Sequence, residues 1–148
     1  RFNLQTGETA ERCLDTVNAE FPTTNPRDQG YPTRYGYAVT IGPLPTLRFD
    51  GIRKYDFASG EHQEVRFGPG IYGSESPFAP STVATAEDQG YLLSFVQDEL
   101  NERSELWIYD ARKLEDGPCT RLAIPQRVPL GFHACWVEAK DLKPKSAE

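Results

Sequence analysis

Two histidines, three cysteines and two isolated glutamates are the side chains of this sequence best placed to do chemistry. His133 lies in Gly131-Phe132-His133-Ala134-Cys135-Trp136-Val137. Phe132, Ala134 and Trp136 fall on one side of a two-residue alternation, and Cys135 and Val137 share the other with His133. Apolar residues on both sides predict a strand buried on both faces. A buried imidazole must be hydrogen-bonded or bound to a metal, and on composition alone the satisfied core histidine is the better reading. His62 alternates with Glu64 and Arg66 on a polar face, so it is read as a solvated surface residue. Glu20, between Ala19 and Phe21-Pro22, and Glu75, in Gly73-Ser74-Glu75-Ser76-Pro77-Phe78, are lone acids in apolar, turn-rich settings. Such an acid often partners a histidine N–H; the plainer alternative is an exposed loop carboxylate. Cys13, Cys119 and Cys135 are odd in number and lack C-x-x-C spacing. Each is therefore read as a small buried apolar residue in a reducing, cytoplasmic setting, not as part of a zinc or disulfide framework. The sequence carries no nucleophile elbow, P-loop, dinucleotide-binding glycine pattern or H-E-x-x-H.

The elements that must position these groups are short. Twelve glycines and twelve prolines are spread through 148 residues, which points to many strands joined by turns and so to an all-β architecture. Strands are predicted at 33–41, 52–57, 62–67, 91–97, 105–109, 120–124 and 131–137, with hairpins joining the second to the third and the fourth to the fifth. Lys54-Tyr55-Asp56-Phe57 is echoed by Trp107-Ile108-Tyr109-Asp110, with the two aspartates 54 positions apart. Aromatic-Asp strand ends of this kind recur in propeller blades at a period of about 40 to 50 residues. The first thirty or so residues read as a surface excursion, and 138–148 as a charged, frayed tail.

Net charge is −6 with no basic run, which argues against nucleic acid as a partner. No stretch reaches the length of a membrane span. Methionine is absent and residue 1 is arginine, so the chain reads as a piece of a longer one, with any leader segment out of view.

The run Arg127-Val128-Pro129-Leu130-Gly131-Phe132-His133, entered from Leu122-Ala123-Ile124-Pro125, resembles the C-terminal signature of the carotenoid cleavage oxygenases. Three further stretches resemble family segments in the same order. They are Glu20-Phe21-Pro22 with Arg34-Tyr35-Gly36-Tyr37, then Gly73-Ser74-Glu75 with Pro77-Phe78-Ala79-Pro80, then Glu87-Asp88-Gln89-Gly90-Tyr91-Leu92-Leu93 running through Ser104-Glu105-Leu106 to Asp110-Ala111. The resemblance covers nearly all of residues 1–137, which it implies are the C-terminal portion of one seven-bladed β-propeller domain. It further implies Fe(II) held on the axis by four neutral histidines, three of which donate to glutamates. Carried over, His133 matches the last iron ligand, and Glu20 and Glu75 match two of the acids. Glu75 is expected to pair with His133, and the remaining ligands are expected upstream of Arg1.

The implied reaction inserts O2 across a conjugated C=C bond of a carotenoid, apocarotenoid or stilbene, giving two carbonyl products. Such substrates are lipids, so peripheral membrane association is compatible with the reading. Ser76 and Leu130 depart from frequent family residues; neither bears on the metal, but Leu130 adjoins the expected substrate tunnel. Two alternatives stand beside this reading: a non-catalytic propeller that kept the scaffold, and isomerohydrolase chemistry at the same iron. The isolated piece, supplying one ligand and leaving propeller edges unpaired, is expected neither to bind iron tightly nor to catalyse.

Overall fold

Strand formation follows the aromatic and β-branched runs, and turns follow the Gly and Asp signals between them. The computed structural model describes residues 1–43 and 45–142. It is all-β, with three one-turn 3-10 segments. Strands β1 (Ala19–Thr23), β2 (Tyr35–Ile41), β3 (Phe49–Asp56) and β4 (His62–Arg66) pair antiparallel in chain order. A second sheet holds β5 (Ile71–Tyr72), β6 (Phe78–Pro80), β7 (Gly90–Asp98), β8 (Arg103–Asp110) and β9 (Thr120–Ile124). Both β5 and β6 pair with β7, Ile71 opposite Asp98 and Phe78 opposite Leu92. They are two halves of one inner strand, interrupted between Tyr72 and Phe78. Each sheet is thus a four-lane antiparallel meander, the form of a propeller blade. The predicted echo falls on equivalent places, because Asp56 closes β3 and Asp110 closes β8.

The core lies between the two sheets. Tyr37 and Ile52 from the first, with Phe67 just past β4, pack with Phe78, Leu92, Val96, Trp107 and Tyr109 from the second. Full burial of each large side chain is worth roughly 1.5–3 kcal/mol. Lys54 is buried at this junction, its ammonium 2.8 Å from Asp88 and over the Tyr35 ring. Burial pushes the Tyr37 and Tyr109 hydroxyls well above the ordinary phenol range, so both stay neutral. On the far face of the first sheet, buried Arg53 pairs with Asp15 at 2.7 Å and Glu64 at 2.6 Å, tying the N-terminal excursion to β3.

Three expectations are corrected. Residues 131–137 form no strand: a strand exists only beside a ladder partner, and among the described residues none lies next to this segment. Its apolar residues are correspondingly open, Phe132 at 54% and Trp136 at 44% exposure, and His133 is exposed instead of buried. All three cysteines are also exposed. Cys13 belongs to the polar excursion, Cys119 precedes the outermost strand β9, and Cys135 lies in the unpaired segment. The excursion itself is shorter than expected, since β1 at Ala19–Thr23 already belongs to the first sheet. Of the predicted tail, 139–141 form a 3-10 turn, and residues 143–148 lie outside the described residues.

Candidate metal centre

Glu75 sits in the interruption of the second sheet's inner strand, and serines make that interruption tolerable. The Ser74 hydroxyl accepts the Phe95 N–H at 3.1 Å and donates to the Glu75 carbonyl at 2.9 Å. The Ser76 hydroxyl donates to the Ser74 carbonyl at 3.2 Å, and the Ser74 N–H reaches the Ser94 hydroxyl at 3.4 Å. Ser74, Ser76 and Ser94 are all buried. They take up main-chain groups that an uninterrupted ladder would have paired, which a buried strand break requires. One residue earlier, the Gly73 N–H donates to the Phe49 carbonyl at 2.8 Å, bridging the two sheets.

A Cβ on Gly73 would collide with the Phe67 ring and come within 2.8 Å of the Ser94 hydroxyl. Both neighbours are packed in place, so the strain cannot be shed cheaply. Gly73→Ala should therefore lower stability by about 1–3 kcal/mol. Chemical denaturation of the full-length protein checks this, and an unchanged midpoint would show that the Glu75 loop is not held as described.

So held, the Glu75 carboxylate presents Oε2 to the segment after β9. It accepts the Ala134 N–H at 2.7 Å and lies 3.3 Å from Nδ1 of His133. These residues are 58 positions apart in sequence and meet only through the fold. A carboxylate next to Nδ1 selects the tautomer that carries its proton there, which leaves the Nε2 lone pair free. The Glu75 side chain is 21% exposed and that of His133 79%, so the ring projects outward from an anchored acid.

Aromatic rings flank the imidazole. Phe21 lies edge-to-face with His133 at 5.0 Å, with Phe49 at 5.3 Å and with Phe132 at 6.0 Å. Phe21 follows Glu20 on β1, where three residue steps, Glu20 to Thr23, face two on β2, Val39 to Tyr37. Glu20 is exposed and forms no side-chain hydrogen bond among the described residues. The structure thus brings Glu75 and His133 together, while Glu20 shares only β1 with Phe21, the ring that meets His133. His62 is exposed on β4, apart from these residues.

Reading the sequence did not single out Phe21, Ser74 or Ser94. A signal was present, however. Glu20-Phe21-Pro22 and Glu75-Ser76-Pro77 repeat Glu-x-Pro at matching places, each where the inner strand of its sheet is irregular.

The donor set fits the expected iron in part. A neutral imidazole with Nδ1 toward a carboxylate and Nε2 open is the state in which histidine binds a divalent transition metal. Among the described residues, no group of three or more His, Cys, Asp or Glu side chains could hold a metal ion. The residues therefore fit as one ligand and its hydrogen-bonding acid, not as a complete site. Behind them, Leu130 separates a small cleft lined by Phe49, Gly73 and Phe132 from a cavity of about 420 Å3 bounded by Gln97, Asp98, Glu102 and Arg127.

Residues 1–138 match the family described as retinal pigment epithelial membrane protein, RPE65. The carotenoid 9,10(9',10')-cleavage dioxygenase 1 of Pisum sativum is 32% identical, over 99% of this chain and 29% of its own length. The chloroplastic 9-cis-epoxycarotenoid dioxygenase NCED6 of Arabidopsis thaliana is 34% identical, over 97% of this chain and 24% of its own length. Among solved structures, a cobalt-substituted apocarotenoid oxygenase from Synechocystis superposes on 93% of this chain and 29% of its own, with a TM-score of 0.84 at 27% identity. The lignostilbene dioxygenase of Pseudomonas brassicacearum covers 84% of this chain and 28% of its own, with a TM-score of 0.77 at 26% identity. The chain thus spans less than a third of the length of these relatives.

Proposed function

The chain belongs to the family of the retinal pigment epithelial membrane protein, and from that premise we propose that it forms part of a non-haem Fe(II) dioxygenase. The reaction is oxidative cleavage of a conjugated C=C bond in a carotenoid, apocarotenoid or stilbene. One molecule of O2 is consumed, the double bond is broken, and each of its carbons leaves as a carbonyl. The observation that carries the reading is the contact of Glu75 with Nδ1 of His133, which prepares Nε2 as a metal ligand. Iron(II), when bound, supplies the activation of dioxygen that organic side chains cannot.

The chain's own residues have preparatory work. Glu75 holds the imidazole proton at Nδ1 and leaves Nε2 as the donor. The Ala134 N–H fixes the carboxylate in turn, and the serines of the interrupted strand fix its backbone. Glu20 is assigned the same duty toward a histidine outside this chain, and the seven-bladed closure belongs to the longer protein. Carotenoids being lipids, the enzyme is read as cytoplasmic with peripheral contact to membranes. Among the described residues, no helix is long and apolar enough to cross one.

The test is an assay of the iron-loaded full-length protein with an apocarotenoid and a hydroxylated stilbene under 18O2. Products are reduced to alcohols at once, so that exchange with water cannot erase the label. Label in both halves of a cleaved substrate is the expected result. A stoichiometrically iron-loaded protein that cleaves neither class would sink the dioxygenase reading in favour of a scaffold that only binds.

A further inference from the structure

We infer that Phe21 is a positioning residue for the metal: its ring sets the plane of His133 and so the direction of Nε2. The inference rests on the iron site proposed above. Glu75 alone cannot aim the ring. A single hydrogen-bonding acid fixes one atom of an imidazole and leaves the ring free to swing about the line from Nδ1 to the carboxylate oxygen. Such a swing sweeps Nε2 through an arc, and a ligand must be aimed to bind well. With its side chain 79% exposed, His133 is not caged by the protein. Phe21, edge-to-face at 5.0 Å with an interplanar angle of 65°, is the nearest aromatic wall, while Phe132 stands off at 6.4 Å.

Phe21 is itself held firmly. It meets Phe49 at 5.3 Å, and Phe49 is 3% exposed. The Phe49 carbonyl accepts the Gly73 N–H that opens the Glu75 loop. The contacts therefore close on themselves, from Glu75 to His133, Phe21, Phe49, Gly73 and back to Glu75. Both restraints on the imidazole are mounted on one piece of backbone, so acid and wall move together. The backbone at Phe21 carries a further mark, a φ of +53° at the β1 bulge. Left-handed backbone is costly for a bulky side chain and free for glycine, and such outliers cluster at functional sites. Backbone conformation alone would favour glycine here. The aromatic ring is what a phenylalanine adds at this position.

That strain provides the test. In the full-length protein, Phe21→Gly removes the ring while relieving the backbone, so folding is not penalised on that account. Phe21→Leu keeps apolar bulk without an aromatic edge, and Phe21→Tyr keeps the ring. Each is titrated with cobalt(II), whose visible ligand-field bands report the geometry of the donor set, and thermal stability is read in parallel. Phe21→Gly and Phe21→Leu should weaken cobalt binding by about tenfold and shift the bands, while Phe21→Tyr restores both. Bands and affinity unchanged in all three variants, with only melting temperature or KM altered, would overturn the inference and leave Phe21 as packing or as substrate wall. If the unsubstituted protein itself takes up no stoichiometric cobalt, the proposed metal site fails first, and this inference with it.

Discussion

His133→Ala in the full-length protein is expected to abolish cleavage and to strip most of the iron, with the fold left standing. The separation of these effects follows from where the side chain lies. His133 is largely exposed, and its contacts are the Glu75 carboxylate and the edge of Phe21. Truncating an exposed side chain usually changes stability by no more than about 0.5 kcal/mol. The carboxylate is not orphaned either, since Oε2 keeps the Ala134 N–H. What is lost is a neutral nitrogen donor from a set that, on the family reading, has four. A metal site missing a donor holds its ion far more weakly, and an ion that remains sits in altered geometry. The fall in kcat/KM should reach about three orders of magnitude or more, since in this reading the metal carries the dioxygen chemistry. Iron content by elemental analysis and melting temperature, measured on one preparation, check both halves. A variant that retained its iron and its activity would remove His133 from the site.

How far these residues could be read in advance varied with how local the determining physics is. The six strands β2, β3, β4, β7, β8 and β9 were legible because alternation within one segment encodes them. The inner strands were not. β1 and the β5–β6 pair are short, and each is broken at a Glu-x-Pro, where pattern reading sees a turn. The segment around His133 misled in the opposite sense. Apolar residues on both sides of the alternation do mark a chain meant for burial, but burial needs neighbouring strands, and none lies beside 131–137 among the described residues. The second sheet tells the same story, since Tyr91, Phe95 and Leu122 are left 40–49% exposed. The approach of Glu75 to His133 was expected from family resemblance alone, because no local rule joins residues 58 positions apart. Phe21 escaped notice for a related reason. A phenylalanine beside a proline reads as core, and its positive φ and its contact with an imidazole exist only in three dimensions.

Glu75→Gln isolates what the acid contributes beyond its shape. Glutamine has nearly the same length and volume, and its carbonyl oxygen can accept the Ala134 N–H as the carboxylate does at 2.7 Å. The Ser74 and Ser76 hydrogen bonds run through backbone atoms and are untouched. Stability should therefore hold to within about 0.5 kcal/mol. The charge, however, is gone. A carboxylate beside Nδ1–H makes Nε2 a better electron donor and places a negative charge close to a divalent ion; a neutral amide does the first weakly and the second not at all. Iron affinity should fall by about 10- to 100-fold, the usual result of altering an acid that backs a ligand histidine. Glu75→Ala should lose as much affinity and some stability besides, because the half-buried Ala134 N–H must then find water. The glutamine variant decides between two roles for the acid. If glutamine bound iron as tightly as glutamate, the acid would be a spacer that fixes the segment after β9. If glutamine loses affinity with the melting temperature unchanged, the charge of Glu75 tunes the metal, and the interrupted strand with its three serines exists to hold that charge against the ring.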